Sequence, residues 1–261
     1  MGRALIGGLL RAGLRPEQLS AGESQPAARA ALAREFAVTA TADNRTAIED
    51  APVVVLAVKP QEAVAVLGAL AAPLASARPL VISIVAGVRL AALESACGPG
   101  VPLVRAMPNR PALIGAGITG LYAPASVTAA QRDEAAQVLR AVGEVVWLAA
   151  EEQLDVVTAL SGSGPAYFFL LAELMAEAGR QLGLEAAIAQ RLAAVTLRGS
   201  GLLVQSGDEE LGRLRAEVTS PGGTTEAAVQ ALTAAGLGSA VVRALTAATQ
   251  RSRELATRSV T

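Results

Sequence analysis

Two short, nearly unbroken apolar runs do most to limit what this chain folds into. Residues 53–58 read V-V-V-L-A-V and residues 80–85 read L-V-I-S-I-V, each closed by turn residues, Lys59-Pro60-Gln61 and Ala86-Gly87. A strand apolar on both faces has to be covered on both faces, the condition of a parallel strand between helices. Patterns on either side agree. Helices are predicted at 3–12, 26–36, 62–74, 90–96 and 129–142, and strands at 19–21, 37–41, 101–107, 116–122 and 144–148. Strands alternating with helices of about ten residues predict an α/β, doubly wound parallel sheet over residues 1–149.

After Trp147 strand signals stop. A helix at 151–159 is interrupted by S-G-S-G at 161–164, and Pro165 opens a strong helix to about Leu182. Phe168, Phe169, Leu170 and Leu171 point around most of its circumference, so other helices enclose it, here those of a partner subunit. Residues 186–205, 226–235 and 239–256 supply three more helices, making 150–261 an all-α domain.

Composition removes several kinds of chemistry. The chain has no histidine, one cysteine (Cys97) and one lysine (Lys59). Histidine acid–base catalysis, Ser-His-Asp triads and His or Cys metal sites are therefore excluded, and no metal is expected. A net charge of −1 with 2% aromatics gives no footprint for nucleic acid. No apolar run approaches the 18 or more residues of a membrane span, and no signal-peptide pattern opens the chain, so a cytoplasmic protein is expected.

Ligands of a doubly wound sheet bind at the carboxyl ends of its strands. Three such ends carry special residues here: Val58-Lys59-Pro60, Ala86-Gly87 and Pro108-Asn109. An ammonium at a strand end suits a phosphate or a ribose hydroxyl; taken alone it is more often a solvated charge, and the three strand ends together favour a bound nucleotide. In the C-terminal half, V-T-S-P-G-G-T-T at 218–225 reads as a helix start, with Ser220 as N-cap and Pro221 as first residue. Gly223 then stands where a capping box would place Glu or Gln, leaving first-turn N–H groups open to an anion.

The stretches A-V-K-P-Q (57–61), M-P-N-R-P (107–111), T-A-L-S-G-S-G-P-A-Y (158–167) and V-T-S-P-G-G-T-T (218–225), in this order, resemble pyrroline-5-carboxylate reductase. The resemblance covers essentially the whole chain, and the last two stretches are specific to that family. It implies a Rossmann domain followed by a helical dimerisation domain, interlocked into a homodimer and assembled into larger homo-oligomers. The implied reaction is reduction of 1-pyrroline-5-carboxylate to L-proline with NADPH or NADH. Residue by residue, it implies that Gly222, Gly223 and Thr224, following Ser220, offer N–H groups to the substrate carboxylate. Thr225 would be the catalytic hydroxyl on the ring nitrogen, and Glu151 would lie near the substrate amine side. Met1, Gly2, Asn44, Val58, Lys59, Pro60, Ala86 and Gly87 would line the cofactor, with Asn109 at its nicotinamide end.

Two features depart from the family pattern. The family carries a strand and V-I-G-x-G-N ahead of the Met1-Gly2 that opens this chain, so the sheet is expected to miss a central strand, and a start placed too far downstream is the favoured explanation. After the strand ending at Ala21, Gly22-Glu23-Ser24 stands where a basic or small polar residue often meets a 2′-phosphate; Glu23 opposes a phosphate and Arg29 is the possible compensator, leaving NADPH and NADH both open. Two rival readings remain. A 3-hydroxyacid dehydrogenase is disfavoured because no lysine follows Lys59. A catalytically inactive nucleotide-fold dimer would reduce no imine.

Overall fold

The structure, a computed structural model, describes residues 1–205 and 210–258. The chain divides into two compact units, Met1–Ser163 with Ala248–Thr261, and Gly164–Ala247. The first break falls later than the boundary expected near residue 149, and the C-terminal residues return to the first unit.

The first unit runs α1 (Gly2–Arg11), β1 (Ser20–Gly22), α2 (Pro26–Phe36), β2 (Thr39–Thr41), α3 (Asn44–Ala47), β3 (Val53–Leu56), α4 (Pro60–Ala69) and α5 (Ala71–Ala77). It continues through β4 (Leu80–Ser83), α6 (Leu90–Cys97), β5 (Leu103–Met107), β6 (Gly117–Tyr122), α7 (Ala129–Arg140), β7 (Gly143–Trp147) and α8 (Gln153–Val157). The helix expected over 62–74 is two helices, because the ring of Pro73 has no N–H for the Ala69 carbonyl and clashes with it.

Strands β3 to β7 form one five-stranded sheet in sequence order, while β1 and β2 pair only with each other. The expected single sheet is thus two sheets, divided between β1 and β3. A second correction concerns direction. β5 and β6 are antiparallel, with Met107 opposite Gly120, whereas the other pairs are parallel. The connection between Met107 and Gly117 is too short for the helical crossover that a parallel pair needs.

Side-chain alternation along β4 and β5 builds a core on each face. Leu80, Ile82 and Val104 join Leu5, Leu121 and Leu139 on one side. Val81 and Leu103 join Leu56, Leu67, Leu74 and Leu93 on the other. Cys97 is fully buried in the second core, and that burial pushes its thiol above the ordinary value, leaving no available nucleophile. At the far edge, the Arg132 guanidinium lies 5.1 Å from the centre of the Trp147 ring, a cation–π contact. Gly143 opens β7 at φ +144°, opposite Gly117, and a Cβ there would stand 1.9 Å from the Gly117 carbonyl oxygen. Gly143→Ala is therefore expected to lower stability by roughly 2–5 kcal/mol, read from urea unfolding; an unchanged midpoint would refute this close approach.

The second unit holds α9 (Gly164–Gln181), α10 (Ala186–Gln205), α11 (Leu211–Glu217), α12 (Thr224–Ala234) and the start of α13 (Leu237–Arg258). Helix α10 keeps the bounds expected from the sequence. Helix α11 lies between the helices predicted at 186–205 and 226–235, where the sequence pattern predicts none. α9 and α10 lie along each other and line an open groove of about 1050 Å³ that includes Phe169, Leu174 and Leu197. Phe168 and Phe169 remain about 60% exposed in the single chain.

The S-G-S-G interruption is a wide π turn at Thr158–Gly162, closed by the Ser163 N–H donating to the Thr158 carbonyl at 2.8 Å. Helix therefore continues from Gln153 to Gln181, 29 residues with a mean hydropathy of 1.3 in its most apolar window. This corrects the expectation about apolar runs: the segment is long and apolar enough to cross a membrane by length and composition.

Candidate functional site

In the first unit, the residues expected around a dinucleotide gather at strand ends. α1 begins at Gly2 with Met1 as its N-cap, and a Cβ on Gly2 would lie 3.5 Å from that of Ala57, just past β3. Val58 follows, Lys59 caps α4 and Pro60 is its first residue, so the strand-to-helix turn forms as read. The Lys59 ammonium is exposed and makes no hydrogen bond or ion pair among the described residues. Asn44 opens α3, and its side-chain oxygen lies so close over Gly22 that a Cβ there would stand 2.1 Å away. Ala86 is exposed beyond β4, while Gly87, at φ +72°, lies under Leu255 and Ala256 of α13.

Asn109 is 8% exposed, and its side-chain oxygen accepts from the Ile118 N–H at 3.0 Å. It thereby holds the turn between β5 and β6. Met107 lies against Gly162, where a Cβ would meet the methionine methyl at 2.9 Å. The Met-Pro-Asn turn and the π turn, over fifty residues apart in sequence, are thus neighbours. π turns recur at functional sites.

Glu151 has two partners within the first unit. Its Oε1 accepts from the Leu90 N–H at 2.7 Å, capping α6, and from Arg105 Nη1 at 2.5 Å. Asp155, 2% exposed, takes a 2.5 Å ion pair from Arg89 and a 2.7 Å hydrogen bond from the Ser252 hydroxyl of α13. Burial pushes the Arg105 guanidinium below its ordinary value, and Glu151 beside it pulls the other way. Two carboxylates and two guanidiniums thus neutralise one another inside the first unit, so Glu151 is committed to the fold. Sequence reading missed Arg89, Arg105, Asp155 and Ser252. The signal available was Arg105, a lone charge in an otherwise apolar strand.

In the second unit, the Gly-Gly stretch forms a turn, and the helix starts later than expected. Gly223, with φ −84° and ψ 171°, is the N-cap of α12, and Thr224 is its first residue. Ser220 is not the cap: its carbonyl accepts from the Gly223 N–H at 3.0 Å. In the shifted frame Glu226 occupies the third position, and its Oε2 accepts from the Gly222 N–H at 2.8 Å, much as in a capping box. Of the three N–H groups expected to stay open, those of Gly222 and Gly223 are therefore used within the turn. Those of Thr224, Thr225 and Glu226 have no partner among the described residues. Three open donors at a helix start, with the Thr225 hydroxyl beside them, suit a carboxylate next to a hydrogen-bonding ring atom.

Comparison with known proteins agrees with both halves. Residues 151–255 match the family model described as pyrroline-5-carboxylate reductase dimerisation. Residues 1–87 match the one described as NADP oxidoreductase coenzyme F420-dependent. A pyrroline-5-carboxylate reductase of Pseudomonas aeruginosa is 48% identical over 98% of this chain and 93% of its own. One of Mycobacterium tuberculosis is 42% identical over the same shares. Among solved structures, a pyrroline-5-carboxylate reductase from Coxiella burnetii superposes with a TM-score of 0.93 at 38% identity, covering 97% of this chain and 94% of that one. The Plasmodium falciparum enzyme with NADP bound gives 0.80 at 28% identity, over 98% and 94%. The match in sequence and fold runs nearly the full length of both partners, and the chain belongs to the pyrroline-5-carboxylate reductase family.

Proposed function

We propose that this protein reduces 1-pyrroline-5-carboxylate to L-proline with NAD(P)H, the last step of proline biosynthesis. The observation that carries the reading is the start of α12, where open N–H groups adjoin the Thr225 hydroxyl. The substrate carboxylate would take the Thr224 and Thr225 N–H groups, one turn residue later than the sequence implied. Each such charge-assisted bond contributes about 1.5–3 kcal/mol. Glu226 Oε2 accepts from the Gly222 N–H, so that donor is not part of the carboxylate site. The Thr225 hydroxyl would hydrogen-bond the ring nitrogen and orient the C=N bond.

The first unit's residues fit a nicotinamide dinucleotide. Gly2 opens α1 close beside Ala57, and Lys59, in the turn from β3 to α4, carries a cation with no partner among the described residues. Met1, Gly2, Asn44, Val58, Lys59, Pro60, Ala86 and Gly87 would hold it, with Asn109 shaping the turn at the nicotinamide end. When bound, the reduced nicotinamide supplies the hydride for the imine carbon. A protonated cyclic imine is already electrophilic, so orientation and exclusion of side reactions are what the protein adds. A chain without histidine is adequate for this.

The exposed apolar faces of α9 and α10 support a homodimer; larger assemblies built from it and a cytoplasmic location belong to the same proposal. Oxidation of NADPH or NADH on addition of pyrroline-5-carboxylate, followed at 340 nm with proline identified as product, tests the reading. A folded protein without turnover would favour the inactive nucleotide-fold dimer.

A further inference from the structure

We infer that Glu23 sets cofactor choice in favour of NADH, its carboxylate accepting from the 2′-hydroxyl of the adenosine ribose; this rests on the nicotinamide-dependent reading above. Glu23 directly follows β1, and its N–H donates to the Thr41 carbonyl of β2 at 2.9 Å, which fixes the turn at the carboxyl end of this strand pair. It adjoins Gly22, over which Asn44 lies. It also stands 21 residues past Gly2, the first residue of α1. An acidic side chain at about this distance from the phosphate turn is the usual acceptor for the ribose of NAD.

The Gln25 N–H and one nitrogen of Arg29, groups that could serve a 2′-phosphate, are already bonded within the turn. Glu23 Oε1 accepts from the Gln25 N–H at 2.8 Å, so the entry to α2 is capped by this chain's own carboxylate. Arg29, the nearest cation in the turn, directs Nη1 to the carbonyls of Glu23 and Ser24, at 2.8 Å each. A 2′-phosphate would bring about two negative charges beside the Glu23 carboxylate, with the Gln25 N–H capped and the Arg29 guanidinium anchored through Nη1 to carbonyls of the turn. A 2′-hydroxyl has a donor for Oε2, which has no partner among the described residues.

Calorimetric titration of the full chain with NADH and with NADPH, without substrate, tests this. Wild-type protein is expected to bind NADH at least about tenfold more tightly. Glu23→Gln keeps an acceptor for the Gln25 N–H and removes the charge, and it should bring the two dissociation constants to within about threefold of each other. Glu23→Ser should weaken NADH and strengthen NADPH. Equal or tighter NADPH binding by the wild type, no binding of either dinucleotide, or an unchanged ratio in both variants overturns the inference. Turnover is scored separately: reduction of pyrroline-5-carboxylate that favours NADPH removes the preference but keeps the activity. The expected binding ratio without turnover keeps the preference and removes the activity.

Discussion

Thr225→Ala is expected to lower kcat/KM for pyrroline-5-carboxylate about 10- to 100-fold, with the fall mainly in kcat. The size follows from losing one hydrogen bond to a charged group, about 1.5–3 kcal/mol, where every 1.4 kcal/mol is a factor of ten in rate. The partition follows from geometry. Thr225 is the second residue of α12, so alanine keeps the N–H proposed for the substrate carboxylate and deletes only the hydroxyl. Carboxylate binding, and with it much of KM, should persist. Thr225→Ser should recover most of the rate, whereas Thr225→Val, with similar shape, should not. If alanine leaves kcat/KM within twofold of wild type, the hydroxyl has no part in the reaction.

Arg105→Ala is expected to cost about 3–5 kcal/mol of stability. Arg105 and Glu151 have side chains only 7% and 17% exposed, and removing one partner of a buried pair leaves the other charge uncompensated. Glu151 also caps α6 through the Leu90 N–H, so the stranded carboxylate cannot simply swing into water without opening that helix start. Neutralising both partners, as in Arg105→Met with Glu151→Gln, should restore more than half of the loss, because the cost lies in the unpaired charge. Urea unfolding checks both variants. A single variant within 1 kcal/mol of wild type would show that the pair contributes little.

Much of this fold was legible because it rests on local patterns. The run L-V-I-S-I-V has β-strand length and no polar face, so β4 was readable as a covered strand. The bounds of α2 and α10 followed from Pro26 and from an amphipathic repeat of twenty residues. What escaped depends on distant partners. The direction of β6 rests on the short Met107–Gly117 connection and on pairing with β5, neither of which has a periodicity of its own. Arg105 and Glu151 are 46 residues apart and Asp155 and Ser252 are 97 apart, so no motif joins them. At 218–225 the stretch was recognised as special, but its helix frame was misread. Ser220 and Gly223 are both acceptable caps, and the side chain of Glu226 decides between them. The residues from Gly2 to Asn109 are each visible in the sequence as helix-start or strand-end positions, whereas the neighbourhood of Met107 and Gly162 needs the structure.

Trp147, held on β7 beneath Arg132, is the sole tryptophan of the chain. Its emission is therefore a reporter for the first unit alone, whereas helical ellipticity is drawn from both units, whose helices are of similar total length. Collected on one denaturant series, the two curves will superimpose if the units melt as one body and separate if they melt in turn. One native fluorophore thus separates the melting of the first unit from that of the whole chain, with no label needed.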